Sequence, residues 1–277
     1  MKKVLVGVLA VVVGLMFVAG AVWAKEQQSG KGMAAVERAA KAQKYLFIFF
    51  YSDGADQTAS MRTIFNKAVD NLPGKTMRVE VNVTDPGEAG IIDKYNVRGA
   101  PTPLALAIAP NGAITGGYAA PFTGEQIASS MATPCTQASL KALQGNKAVI
   151  LCIQNRNTKL NDGAMKGVQD FKADPAYAAS TEIITLDPSD PAEAKLLGTL
   201  AIDPKIDQAM TVCLVPPGQA SAKLTGATTK EMIVNSLTVK SGGGCCPGGG
   251  GGAKGCGPTA AQPSAAKPPI TAKTGGK

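Results

Sequence analysis

Histidine is absent from all 277 residues. That excludes serine–histidine and cysteine–histidine nucleophilic arrangements, histidine-ligated zinc and an imidazole pH switch. Aromatic residues are scarce, at 5% with a single tryptophan, and no basic stripe is interleaved with them. Nucleic-acid binding is therefore not expected. A glycine-rich phosphate loop is also missing, because Gly87 and Gly90 lack the strand–turn–helix setting that such a loop requires. Chemistry is left to thiols, carboxylates, lysines and backbone groups. Asp53 and Asp56 do not form a convincing acid–base pair. They read as a solvated loop, with Asp56 placed to favour the positive end of the helix dipole near Thr58.

The N-terminus differs in composition from the rest. Lys2 and Lys3 precede an uncharged run over residues 4–24, which ends Val22-Trp23-Ala24 before Lys25. A basic start, an apolar centre and small residues before the cut describe a secretory signal peptide over residues 1–24, cleaved between Ala24 and Lys25. The alternative is retention of residues 4–24 as an anchor, long enough for a hydrocarbon layer of about 30 Å. On either reading the folded part is periplasmic or secreted. It meets a membrane only through an uncleaved N-terminal segment. Cleavage lowers the net charge from +8 to +6, a modest and scattered excess.

Periodicity then gives an element order. Residues 33–43 read as a helix. Tyr45-Leu46-Phe47-Ile48-Phe49-Phe50-Tyr51 is a continuous apolar run, expected as a strand buried on both faces. Residues 58–72 carry Met61, Ile64, Phe65, Ala68 and Leu72 at helical spacing, stopped by Pro73-Gly74. A strand over 77–83 and a helix over 85–95 follow. Strands over 104–109 and 113–118 are joined by Pro110-Asn111-Gly112. Thr123, with Gln126 three residues on, opens a last helix through a capping box. The order α-β-α-β-α-β-β-α ends in a hairpin and a helix, so it is not a doubly wound dinucleotide fold.

The pattern repeats. Asp85-Pro86-Gly87-Glu88 is echoed by Asp190-Pro191-Ala192-Glu193, and Pro110-Asn111-Gly112 by Pro216-Pro217-Gly218. Thr123, Glu125, Ile127 and Ser130 are echoed by Thr229, Glu231, Ile233 and Ser236. All three matches share an offset of 105 or 106 residues, which argues a duplicated domain. The expected domains are residues 25–133 and 134–240, with a helix over 137–144 opening the second. Residues 241–277 are mostly Gly, Pro, Ala and Lys. They bury too little to offset ordering entropy and are expected to be disordered.

The run Lys94-Tyr95-Asn96-Val97-Arg98-Gly99-Ala100-Pro101-Thr102-Pro103-Leu104 resembles the cis-proline signature of the thioredoxin-like superfamily. The likeness covers residues 33–131, and a weaker version covers 137–240. It implies two α/β domains, each a mixed central sheet flanked by helices. It also implies a cis bond beside a bound extended peptide. Spacing from Val97 favours Pro101 as the cis residue, whereas counting back from the hairpin turn favours Pro103. Pro101 is preferred, which makes Ala100, Pro101 and Thr102 the peptide-binding candidates. The alternative is that the proline is only a rigid turn.

Departures from the family decide the expected function. Its two cysteine positions fall on Gly54 and Gln57, its buried carboxylate on Ile48 and its tryptophan on Asp53. The loop over residues 155–162 of the second domain has no cysteine either, and no proline lies between Pro204 and Pro216. Thiol–disulfide exchange needs a thiolate, so no catalytic residue is assigned and the chain leans away from being an enzyme. Cys152 and Cys213 fall on expected neighbouring strands, either as buried small hydrophobes or as a cross-strand disulfide. Cys135 sits at the domain junction. Cys245, Cys246 and Cys256 lie in the glycine-rich tail, where pairing, thiol exchange and capture of Cu(I) all stay open. No cofactor is expected. The reading is a non-catalytic role, holding a protein or peptide partner or serving structurally in the cell envelope. The alternatives are an oxidoreductase using the tail thiols and thiophilic metal binding by the tail.

Overall fold

Each half of the chain is built around a strand with no polar side chain to spare for solvent. In the computed structural model, which describes residues 30–238, α1 (Lys31–Lys41) leads into β1 (Tyr45–Tyr51). Then come α2 (Thr58–Asp70), β2 (Thr76–Asn82) and a 3-10 turn (Pro86–Glu88) that runs into α3 (Ala89–Lys94). The half closes with β3 (Leu104–Ile108), β4 (Ile114–Ala119) and α4 (Gly124–Ser129). The sheet order is β2-β1-β3-β4, with β1 parallel to β2 and antiparallel to β3.

Alternation along β1 divides the core in two. Tyr45, Phe47 and Phe49 pack with Met61 and Phe65 of α2 and Ile127 of α4. Leu46, Ile48 and Phe50 pack with Ala35 and Ala39 of α1 and Ile91 of α3. Helices therefore cover both faces, which is why the centre of β1, Leu46 to Phe50, is apolar throughout. Emptying such a site costs about 3–5 kcal/mol for a phenylalanine.

The second half repeats this plan. It runs α5 (Pro134–Gln144), β5 (Ala148–Ile153), α6 (Asn161–Ala173), α7 (Pro175–Ala178) and β6 (Thr181–Leu186). A 3-10 turn (Pro191–Glu193) precedes α8 (Ala194–Thr199), β7 (Met210–Val215), β8 (Gln219–Thr225) and α9 (Lys230–Thr238). The sheet order β6-β5-β7-β8 and its pairing senses match the first. Val149, Leu151 and Ile153 join the cluster under α5 and α8, whereas Ile150 and Cys152 join that under α6 and α9.

The duplicated Asp-Pro-x-Glu motif has a structural reason. Asp85 and Asp190 cap their 3-10 turns through Gly87 and Ala192 amides, and the glutamates turn inward. Buried Glu88 accepts the Gly32 amide at the head of α1, at 3.0 Å. Buried Glu193 accepts the Thr133 hydroxyl at the head of α5, also at 3.0 Å.

Most boundaries shift by one or two residues from expectation, and two differ by more. α5 starts at Pro134 and not at residue 137, because Thr133 caps it through the Thr136 amide and proline suits a first helical position. The helix expected over 85–95 is split between the 3-10 turn and α3. The capping box at Thr123 and Gln126 is present in both directions.

Side chains join the two sheets' surroundings. The Tyr45 hydroxyl accepts from the Ala132 amide at 2.9 Å and donates to its carbonyl at 3.1 Å. The Gln144 side chain, at the end of α5, accepts from the Ile114 amide at 2.9 Å and donates to its carbonyl at 2.7 Å. Lys195 donates to the Ser129 carbonyl at 3.3 Å. Residues 1–29, including the expected cleavage site, and the tail with Cys245, Cys246 and Cys256 lie outside the described residues.

Candidate functional site

The loop over residues 52–57 joins β1 to α2 and holds Gly54 and Gln57, the two positions singled out in the sequence. Gly54 has φ 75° and Gln57 has φ 67°, and Gln57 is the residue that caps α2 by its backbone alone. Asp56 is exposed and precedes the capping residue, and the entry into α2 is a left-handed turn at Gln57. The loop is held from two sides. Asn82, at the end of β2, donates to Asp53 at 2.9 Å, and the Ser52 and Thr102 hydroxyls meet at 2.8 Å.

That second contact brings in the proline segment. The cis bond is Thr102–Pro103, which corrects the preference for Pro101. β3 begins at Leu104 immediately after it, so the strand sets the position. The irregular stretch from Arg98 to Thr102 adds residues that spacing from Val97 does not count. Pro103 is buried, Pro101 is exposed, and Ala100 and Thr102 are half-buried. Among the three peptide-binding candidates, the loop–segment hydroxyl contact is made by Thr102.

The second half holds its loop differently. Leu160 caps α6 with φ 64°, matching Gln57, so Asn157 and Leu160 stand where Gly54 and Gln57 stand. Asn155 donates to Asp187 at 2.8 Å and to Ser189 at 3.3 Å. Its carbonyl accepts from the Thr158 hydroxyl and the Asn161 side chain. The Asp187 carboxyl is held below the usual range by the Ser189 hydroxyl first, then by Asn155. Lys159 and Gln208 form a parallel bridge. The Lys159 amide donates to Asp207 at 2.8 Å, and the Ala209 amide donates to the Lys159 carbonyl at 2.9 Å. Ala209 precedes β7 as Pro103 precedes β3.

The three described thiols are all buried and free. Burial, then the Glu193 carboxylate, pushes the Cys135 thiol up to about 12. Burial, then Cys213, pushes Cys152 up to about 12, and burial also raises Cys213, which accepts from Ser236 at 3.4 Å. The disulfide expected as one option between Cys152 and Cys213 is not formed. Cys152 stands opposite Thr211 and Cys213 opposite Ile150, a diagonal relation of about 7–8 Å between Cα atoms, at the edge of what a disulfide spans.

No family model matches the chain, and no curated protein does. Among solved structures, zinc-bound human ERp44 is similar over 75% of this chain and 58% of its own, at 12% identity and a TM-score of 0.31. The first two thioredoxin domains of Saccharomyces cerevisiae Eps1p are similar over 75% of this chain and 96% of theirs, at 10% identity and a TM-score of 0.30. The N-terminal domain of the alkylhydroperoxide reductase AhpF from Enterococcus faecalis matches over 74% and 99%, at 13% identity and a TM-score of 0.27. The fold stands on its own strand order, pairing senses and helix placement, each found twice. The described residues form two thioredoxin-like domains in tandem, with Gly54 and Gln57 in the loop before α2 of one and Asn157 and Leu160 in the loop before α6 of the other.

Proposed function

We propose that this chain is an exported, non-catalytic thioredoxin-like protein that holds a peptide or protein partner in the cell envelope. The observation that carries the reading is that neither loop leading into α2 or α6, residues 52–57 and 155–160, holds a cysteine. Exchange requires a thiolate, and the three described thiols are buried with raised pKa values.

The partner docks at the first domain, on Ala100, Pro101 and Thr102. The asymmetry of the two loops favours that choice. In the second domain, loop backbone already bonds to the segment before β7 through Lys159, Asp207 and Ala209. In the first, the matching contact is a pair of hydroxyls.

Insulin reduction in the presence of dithiothreitol tests the reading, using the full chain and a chain ending at Lys240. Turnover at the background rate is expected for both. Substantial turnover by the shorter chain overturns the proposal. Turnover by the full chain that disappears when Cys245, Cys246 and Cys256 become serine transfers the function to the tail. Mass spectrometry of the secreted protein is expected to find Lys25 as the first residue.

A further inference from the structure

A cavity of about 460 Å³ opens where the β3–β4 turn meets α5 and β6. This place is separate from both helix-head loops, and junctions between domains are common ligand sites. Its apolar lining comes from Ala138 and Ala142 of α5 and Ile184 of β6, while Ile183 borders it and packs on the other face of the sheet. Ile184 packs on the same cluster that contains Ala142, so this wall is anchored in the core of the second domain.

Three charged side chains line the cavity: Lys141, Lys147 and Glu182. Lys147 and Glu182 pair with each other at 2.6 Å. Lys141 makes no ion pair among the described residues. Its ammonium lies beside the β3–β4 turn, where a Cβ added to Gly112 would stand 3.3 Å from it. The balance is one uncompensated positive charge at the rim of an apolar wall.

That balance selects a ligand class. A cationic amphiphile is repelled by Lys141, and a neutral apolar molecule leaves the ammonium without a partner as it displaces water. A compact dianion such as phosphate gains little from the isoleucine wall. The geometry points to a binding site for an apolar monocarboxylate, its carboxylate on Lys141 and its hydrocarbon against Ile184 and Ala142. The site is independent of the partner-docking face proposed above.

The test is titration of the full chain with octanoate, below its micelle-forming concentration, followed by amide chemical shifts. Octanol and octylamine serve as parallel probes. Octanoate is expected to give saturable shifts at residues 138–145 and 182–184, with octanol binding more weakly and octylamine leaving the region unchanged. Lys141→Gln, an exposed change, is expected to weaken octanoate by about fivefold. Ala138→Trp, which fills the cavity, is expected to abolish the shifts while leaving amides in the first sheet where they are. Absence of saturable shifts with octanoate overturns the proposal, as does equal binding of octylamine or unchanged affinity in Lys141→Gln.

Discussion

The Ala209 amide donates to the Lys159 carbonyl at 2.9 Å, a bond that Pro103, in the matching place of the first domain, has no hydrogen to make. The proline that is missing from the second domain is therefore replaced by a donor that fastens the loop to the sheet. The same loop is latched through Asn155 to Asp187, whereas the first domain latches Asp53 to Asn82. The amide and the carboxylate have changed sides.

Ala209→Pro should release the second loop. Lys159 is exposed, so its carbonyl finds water, and the cost is about 0.5–1.5 kcal/mol. Hydrogen exchange at residues 156–160 should accelerate while the first domain's amides keep their rates. Unchanged exchange in that loop would show that the bond holds nothing.

Asn155→Ala should raise the Asp187 pKa toward the ordinary aspartate value, because one of the bonds favouring its charged form is lost. The lowered folded value means that this carboxylate contributes stability above its unfolded pKa and loses it as pH falls through the folded one. The variant's acid unfolding should consequently depend less on Asp187. Carbon-detected titration of Asp187 reads the shift, and a pKa equal to that of the parent protein counts against the latch.

The buried thiols make the opposite alkaline prediction. Cys135 and Cys152 are raised from 9.0 to about 12, so the folded state keeps protons that the unfolded state gives up. Their contribution is intact below about pH 9 and is lost as pH climbs toward 12. Cys152→Ala should flatten the fall in urea midpoint between those limits. In the native protein at neutral pH, none of the three should react with a soluble disulfide reagent. Rapid labelling of Cys152 before unfolding would contradict its burial.

Gln144→Ala removes both bonds to Ile114 and should cost about 1–2 kcal/mol. Gln144→Glu keeps an acceptor for the Ile114 amide but sets a second acceptor against its carbonyl, so at neutral pH it should not recover the loss. Denaturant midpoints rank the two variants, and equal midpoints for both and the parent would show the contact to be incidental.

How much of this the sequence reveals depends on the range of the cause. β1 is legible because seven consecutive apolar residues leave no solvent face, and the structure buries Leu46 through Phe50 on both sides. The Thr123–Gln126 box is legible because its reciprocal bonds lie within one turn. The start of α5 was within reach, since Thr133-Pro134 is itself a cap followed by a first-turn proline. The left-handed Gln57 and Leu160 are not legible: neither residue favours that conformation, and the entry into α2 or α6 imposes it. Asp53 and Asn82 lie 29 positions apart, and only the finished sheet brings β1's loop beside the end of β2. Pro103 is legible from the hairpin turn, which lies one regular strand away, whereas the count from Val97 fails because an irregular stretch carries no period.

The glutamine at the end of α5 also shapes how copies of this chain treat each other. β4 lies at the margin of its sheet, and margins with open amides and carbonyls recruit strands from neighbouring molecules. By satisfying both backbone groups of Ile114, Gln144 plugs that invitation from within the same polypeptide, so a domain lacking its successor would be expected to associate more readily than the tandem pair.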